Sequence, residues 1–82
     1  MRLLYFGRLA EVAGSRGGEV AVPDGIDTVS ALRHWIGREQ PELGAALASP
    51  TVRAVIADTY ATDDDPIAGV TEIAFIPPVS GG

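Results

Sequence analysis

The chain has 82 residues, 46% of them hydrophobic, enough for one small domain with a real core. It has no cysteine, which excludes disulfides, a thiol nucleophile, an iron–sulfur cluster and a cysteine zinc site. The formal net charge of −5 argues against nucleic acid and anionic membrane surfaces, which call for a basic face, and no apolar run approaches the roughly 18 residues of a membrane helix. A soluble, cytoplasmic domain that docks on a larger and more basic protein is expected.

In chain order, Met1–Leu9 is dense in Leu3, Leu4, Tyr5 and Phe6 and reads as a buried first strand. LAEVAG makes one helical turn, and GSRGG, Gly14 to Gly18, is a reversing loop. Glu19–Val22 alternates polar and apolar as a second strand, broken by Pro23-Asp24-Gly25. Asp27 or Thr28 caps the helix that follows, because either side chain can accept from the free amides of a first turn. In TVSALRHWIGREQ, residues Val29, Leu32 and Ile36 share one face, with Arg33, Gly37 and Gln40 turned elsewhere. Pro41 ends this helix, and Glu42–Ala48 forms a second, short helical piece.

Val52–Ala57 is a third strand, with a short strand around Tyr60 after Asp58-Thr59. Asp63–Pro66 is an acidic, solvated loop, and Glu72–Pro77 is the last strand, stopped by prolines that cannot donate to a ladder. Two hairpins flanking one helix imply an α+β fold, a mixed sheet wrapped on one main helix. The first and last strands, the most apolar, lie side by side at its centre. Strand alternation puts either Phe75 or Ile76 inside.

Little in the chain resembles a catalytic centre. His34 is a single helical histidine beside Trp35, which packs against the core. Asp63-Asp64-Asp65 lacks the ligand spacing of a calcium loop. GSRGG lacks the spacing of a dinucleotide site, and no serine sits in a nucleophile elbow. All six basic residues are arginine, so no side chain offers an amine. A codon preference for arginine over lysine accounts for that set.

The distinctive feature is the ending, FIPPVSGG. Residues 1–76 form the domain and residues 77–82 an extended tail. Pro77 and Pro78 each fix a torsion, so the arm leaves in an extended direction with less disorder to lose on docking. Val79 supplies an apolar anchor. Gly81 and Gly82 have no Cβ and can enter a channel too narrow for other residues. A carboxylate delivered that way becomes an acyl donor once a partner converts it to an acyl-adenylate with ATP. Sulfur attack then gives a C-terminal thiocarboxylate, and lysine attack gives an isopeptide bond.

EIAFIPPVSGG, with YFGRLAEVAG, TVSAL and DDDPI, resembles the family of molybdopterin synthase small subunits, which are ubiquitin-like (β-grasp) sulfur carriers. The likeness spans essentially the whole chain. Thiamine-pathway carriers share the fold and the Gly-Gly end but usually lack the Pro-Pro-Val. The resemblance implies that an E1-like enzyme adenylates Gly82 and that a persulfide donor converts it to the thiocarboxylate. The arm then inserts into a large synthase subunit, within an assembly of two large and two small subunits, and gives its sulfur to a pterin precursor. It implies no bound cofactor or metal and no catalysis by the chain on its own. Gly82 is then the reacting residue and Gly81 the channel residue, with Phe75, Pro77, Pro78, Val79 and Ser80 meeting the partner. A protein modifier conjugated through Gly82, a sulfur carrier of another pathway such as that of thiamine, or a passive interaction domain is the competing reading. The chain departs from the family pattern at Val70-Thr71-Glu72, where Gly-Asp-Glu is common, and near Asp58, where asparagine is frequent. A shifted turn is expected at the first.

Overall fold

The structure, a computed structural model, describes residues 1–78. Strand β1, Arg2–Tyr5, puts Leu3 and Tyr5 on one face and Arg2 and Leu4 on the other. It continues by way of Phe6 into helix α1, Arg8–Ala13, which closes at Gly14 in the left-handed region (φ 78°). Strand β2 is Gly17–Glu19, and helix α2 is Val29–Glu39. Helix α3 is Pro41–Leu47, and strands β3, β4 and β5 are Arg53–Ile56, Thr59–Ala61 and Glu72–Ile76.

These strands form one five-stranded sheet in the order β2-β1-β5-β3-β4. β1 and β5 run parallel, Leu3 opposite Ile73 and Tyr5 opposite Phe75, and the other pairs are antiparallel. The first and last strands therefore meet near the centre, as their apolar character requires. A parallel pair needs a long crossover, and the chain between them supplies it with α2 and α3.

Thr28, not Asp27, is the N-cap of α2. Its backbone is extended and its Oγ1 accepts from the Ala31 amide at 3.1 Å. Val29, Leu32 and Ile36 are buried on one face, as their spacing demands. They meet Leu3, Ile73 and Phe75 from the sheet and Leu43 and Leu47 from α3. Pro41 does more than end α2. It opens α3, where its missing N–H falls among the donors that a first turn leaves unused. The two helices pack backbone to backbone at Gly37 and Gly44, where a Cβ on Gly44 would lie 2.3 Å from the Gly37 Cα.

The second strand differs from the expectation of Glu19–Val22. The ladder is made by Gly17–Glu19, with Gly18 opposite Leu3, so the glycines read as a loop carry the strand. Gly17 has φ 115°, and a Cβ there would lie 1.9 Å from the Leu3 carbonyl oxygen, so the register requires glycine. The alternation of Glu19–Val22 persists in burial, Val20 and Val22 packing against the core while Glu19 and Ala21 stay exposed.

Candidate functional site

The tail issues from the central strand of the sheet. β5 is hydrogen-bonded on both sides, to β1 and to β3, and the Phe6 amide extends the pairing by donating to the Phe75 carbonyl at 3.2 Å. Pro77 follows at once. Its ring rests against Gly7, whose positive φ (55°) turns the chain there; a Cβ on Gly7 would come within 3.0 Å of Pro77 Cγ. Arg8 and Val12 of α1, with Ser49 and Thr51, line a groove beside Pro77 and the exposed Pro78. Val79, Ser80, Gly81 and Gly82, which carry most of the expected site, lie outside the described residues.

Phe75 is a correction. It is fully buried, its ring stacked on Tyr5 at 6.1 Å between centroids, with the Arg33 guanidinium over its face at 5.5 Å. A side chain enclosed in this way presents no surface to a partner. Ile76 takes the outward position instead, opposite Arg53. Burial also pushes the Tyr5 hydroxyl above its ordinary pKa.

The register then places a second apolar set on the outer face. Leu4 lies opposite Ala74, Ala74 opposite Val55, and Val55 opposite Tyr60. Leu4, Phe6, Val55, Ala74 and Ile76 line one open hollow, with Asp58 and Glu72 at its edge. Phe6 is 49% exposed and Tyr60 60%. Arg53 lies over the Tyr60 ring at 4.2 Å. Sequence reasoning passed over this face, although a signal was present. RLLYF, RAVI and EIAFI are apolar at successive positions, whereas a sheet covered on one side alternates apolar with polar.

Other singled-out residues have structural work. The acidic loop is more than a solvated turn. The carbonyls of Asp65 and Asp63 accept from the Val29 and Ser30 amides, at 3.1 and 3.0 Å, at the start of α2. Asp65 Oδ2 accepts from the Thr62 amide at 2.9 Å, which holds the loop's own shape. Asp63 Oδ1 is 3.2 Å from Arg33 Nε, near enough for an ion pair but off the line of the N–H bond. The same guanidinium donates to the Leu47 carbonyl and, at 3.1 Å, to the Val52 carbonyl. Arg33 thus joins α2, the end of α3, the residue that precedes β3 and the acidic loop. Trp35 packs at the edge of the core, and His34 is exposed. In the turn before β5, Gly69 at φ 77° lets the Val70 amide close on the Ile67 carbonyl at 3.0 Å. Among the described residues no helix is long and apolar enough to cross a membrane.

A mixed five-stranded sheet with a central parallel pair, one main helix across it and a terminal segment leaving the central strand defines the ubiquitin-like β-grasp class. The sequence relationships agree. A model of the ThiS family matches residues 3–82, and the chain belongs to that family. It is 32% identical over 82 residues to the molybdopterin synthase sulfur carrier subunit of Escherichia coli (strain K12), covering 100% of this chain and 99% of the relative. The crystal structure of SAMP1 from Haloferax volcanii superposes with a TM-score of 0.80 at 32% identity, covering 100% of this chain and 98% of that one. A second crystal structure, of the small archaeal modifier protein 1 of H. volcanii, gives 0.78 at 29% identity, covering 96% and 97%.

Proposed function

We propose that the chain is the sulfur carrier subunit of a molybdopterin synthase, with the Gly82 carboxyl as its working group. The observation that carries this reading is the origin of the PPVSGG segment in a central strand bonded on both sides, at the edge of an uncovered apolar face. Likeness over the whole chain to the E. coli carrier supports it.

In this reading the Gly82 carboxylate attacks the α-phosphate of ATP in an E1-like enzyme and releases pyrophosphate. A persulfide sulfur attacks the acyl carbon and AMP leaves. A thiol then cleaves the S–S bond of the acyl persulfide, and the thiocarboxylate remains. The loaded arm enters the large synthase subunit, whose side chains catalyse transfer of the sulfur to a pterin precursor, on the way to the dithiolene that holds the metal. The small chain supplies a co-substrate and no catalytic side chain. Leu4, Phe6, Tyr60 and Ile76 give the partners an apolar surface continuous with the root of the arm, the docking role once expected of Phe75. Pro77, Pro78, Val79 and Ser80 meet the partner further along, and Gly81 passes the narrowest point.

A second reading, a protein modifier joined to lysines through Gly82, is favoured by the likeness to SAMP1. Deleting Gly82 tests the common element. Sulfur loading and conjugation are expected to vanish while the melting temperature of the domain stays unchanged. Unfolding of the truncated chain would make the ending structural. Loading that survives would place the acyl group elsewhere.

A further inference from the structure

We infer that this domain is a one-way acyl donor, because its sequence offers its own activated terminus no side-chain amine or thiol that could capture it. The inference rests on the proposed activation of Gly82 and concerns what happens next. An activated acyl group tethered to its own domain is exposed above all to amines and thiols close by, since tethering raises the effective concentration of any group within reach. From Pro78 to Gly82 the chain spans at most about 14 Å, so the groups around the root of the tail are the nearest candidates.

The cations placed there are Arg8, beside Pro77 and Pro78, and Arg53, opposite Ile76. Both are exposed. Lysine would supply the same charge, but its amine loses a proton readily enough to attack an acyl carbon, whereas a guanidinium stays protonated. The whole sequence has neither lysine nor cysteine. The amine of Met1 is engaged as well. It donates to the Val20 carbonyl at 3.1 Å and lies 3.5 Å from Glu19 Oε2, and the Met1 side chain is 8% exposed. Among the described residues, Ser49 and Thr51, the hydroxyls that line the groove with Pro77 and Pro78, bond to each other at 2.8 Å and not to a base that could activate them.

Whatever produced the arginine-only composition, its chemical consequence is specific. A lysine at the root would attack the Gly82 acyl carbon and form a C–N bond. The bond from acyl carbon to leaving group would break, and the leaving group would depart with the amine proton. The chain would be closed on itself or joined to a second copy, and lost as a carrier. With arginine there, the acyl group survives until a partner presents the intended nucleophile. Any conjugate the chain makes with another protein then carries a single copy.

The test uses the full-length chain with Gly82 prepared as a thioester, which needs no activating enzyme and so separates this inference from the proposed function. The native chain, Arg8→Lys and Arg53→Lys are held at mildly alkaline pH and followed by intact mass and denaturing gel, with folding checked by circular dichroism. The native thioester is expected only to hydrolyse. Each lysine variant is expected to give an amide-linked self-adduct that the native chain does not form. Free lysine added to the native thioester should couple, which shows that the group is reactive. Self-adduct from the native chain would overturn the inference. So would folded lysine variants that stay adduct-free while free lysine couples.

Discussion

The inner and outer faces of the sheet are built from the same kinds of side chain and meet opposite fates. Leu3, Ala54, Ile73 and Phe75 on the inner face are sealed by α2 and α3. Leu4, Val55, Ala74 and Ile76 alternate with them along the same strands and remain open, with Phe6 and Tyr60 beside them. Burial of the first set drives folding. The second set contributes little to the isolated domain, so its apolar character belongs to what the sheet meets. Substitution along one strand should separate folding from docking residue by residue.

The largest effect is expected at Phe75. Phe75→Ala removes a fully enclosed ring that touches Tyr5 and Arg33, and should cost about 3–5 kcal/mol, a large share of the stability of a domain this small. Chemical denaturation measures it. A loss below about 1 kcal/mol would mean that the inner face is not the core. Next, Gly44→Ala drives a methyl into the Gly37 backbone and should cost about 1–3 kcal/mol by forcing α2 and α3 apart, read as a lower melting temperature.

On the outer face the pattern should invert. Phe6→Asp and Ile76→Asp should each change stability by no more than about 1 kcal/mol, yet weaken binding to the large subunit or activating enzyme by tenfold or more in titration calorimetry. Equal loss of stability on both faces would erase the distinction.

The turn between β3 and β4 should respond in the opposite sense. Ala57 and Asp58 hold φ values of 51° and 65°, a conformation that glycine and asparagine adopt more easily. Ala57→Asn with Asp58→Gly should stabilise the domain by about 0.5–1 kcal/mol.

The smallest effect is at Tyr5. Its pKa is raised by burial, so its contribution is fully present below the unfolded value near 10 and is lost as pH rises through the folded value. Tyr5→Phe should flatten the alkaline limb of a stability–pH curve and leave the neutral region nearly unchanged.

Much of this architecture was legible in the sequence because apolar periodicity and proline report directly on geometry. Val29, Leu32 and Ile36 marked the buried stripe of α2, and the density of apolar residues in the first and last strands predicted their central pairing. The β2 ladder was hidden because its decisive residue is recognised by what it lacks. Gly17 is needed for close approach to Leu3, and a glycine-rich stretch reads as a loop. Phe75 and Ile76 were not separable because both are apolar, and only the register with Tyr5 and Ala54 tells which faces inward. The role of Arg33 depends on partners scattered from Leu47 to Asp63, a juxtaposition that no local pattern encodes.

The most direct test of the account is the intact mass of the chain isolated from its native host under conditions that preserve thioacids. The account predicts a population with one terminal oxygen replaced by sulfur, localised to Gly82 by fragmentation. A chain that carries sulfur nowhere, in cells actively making molybdenum cofactor, would contradict it.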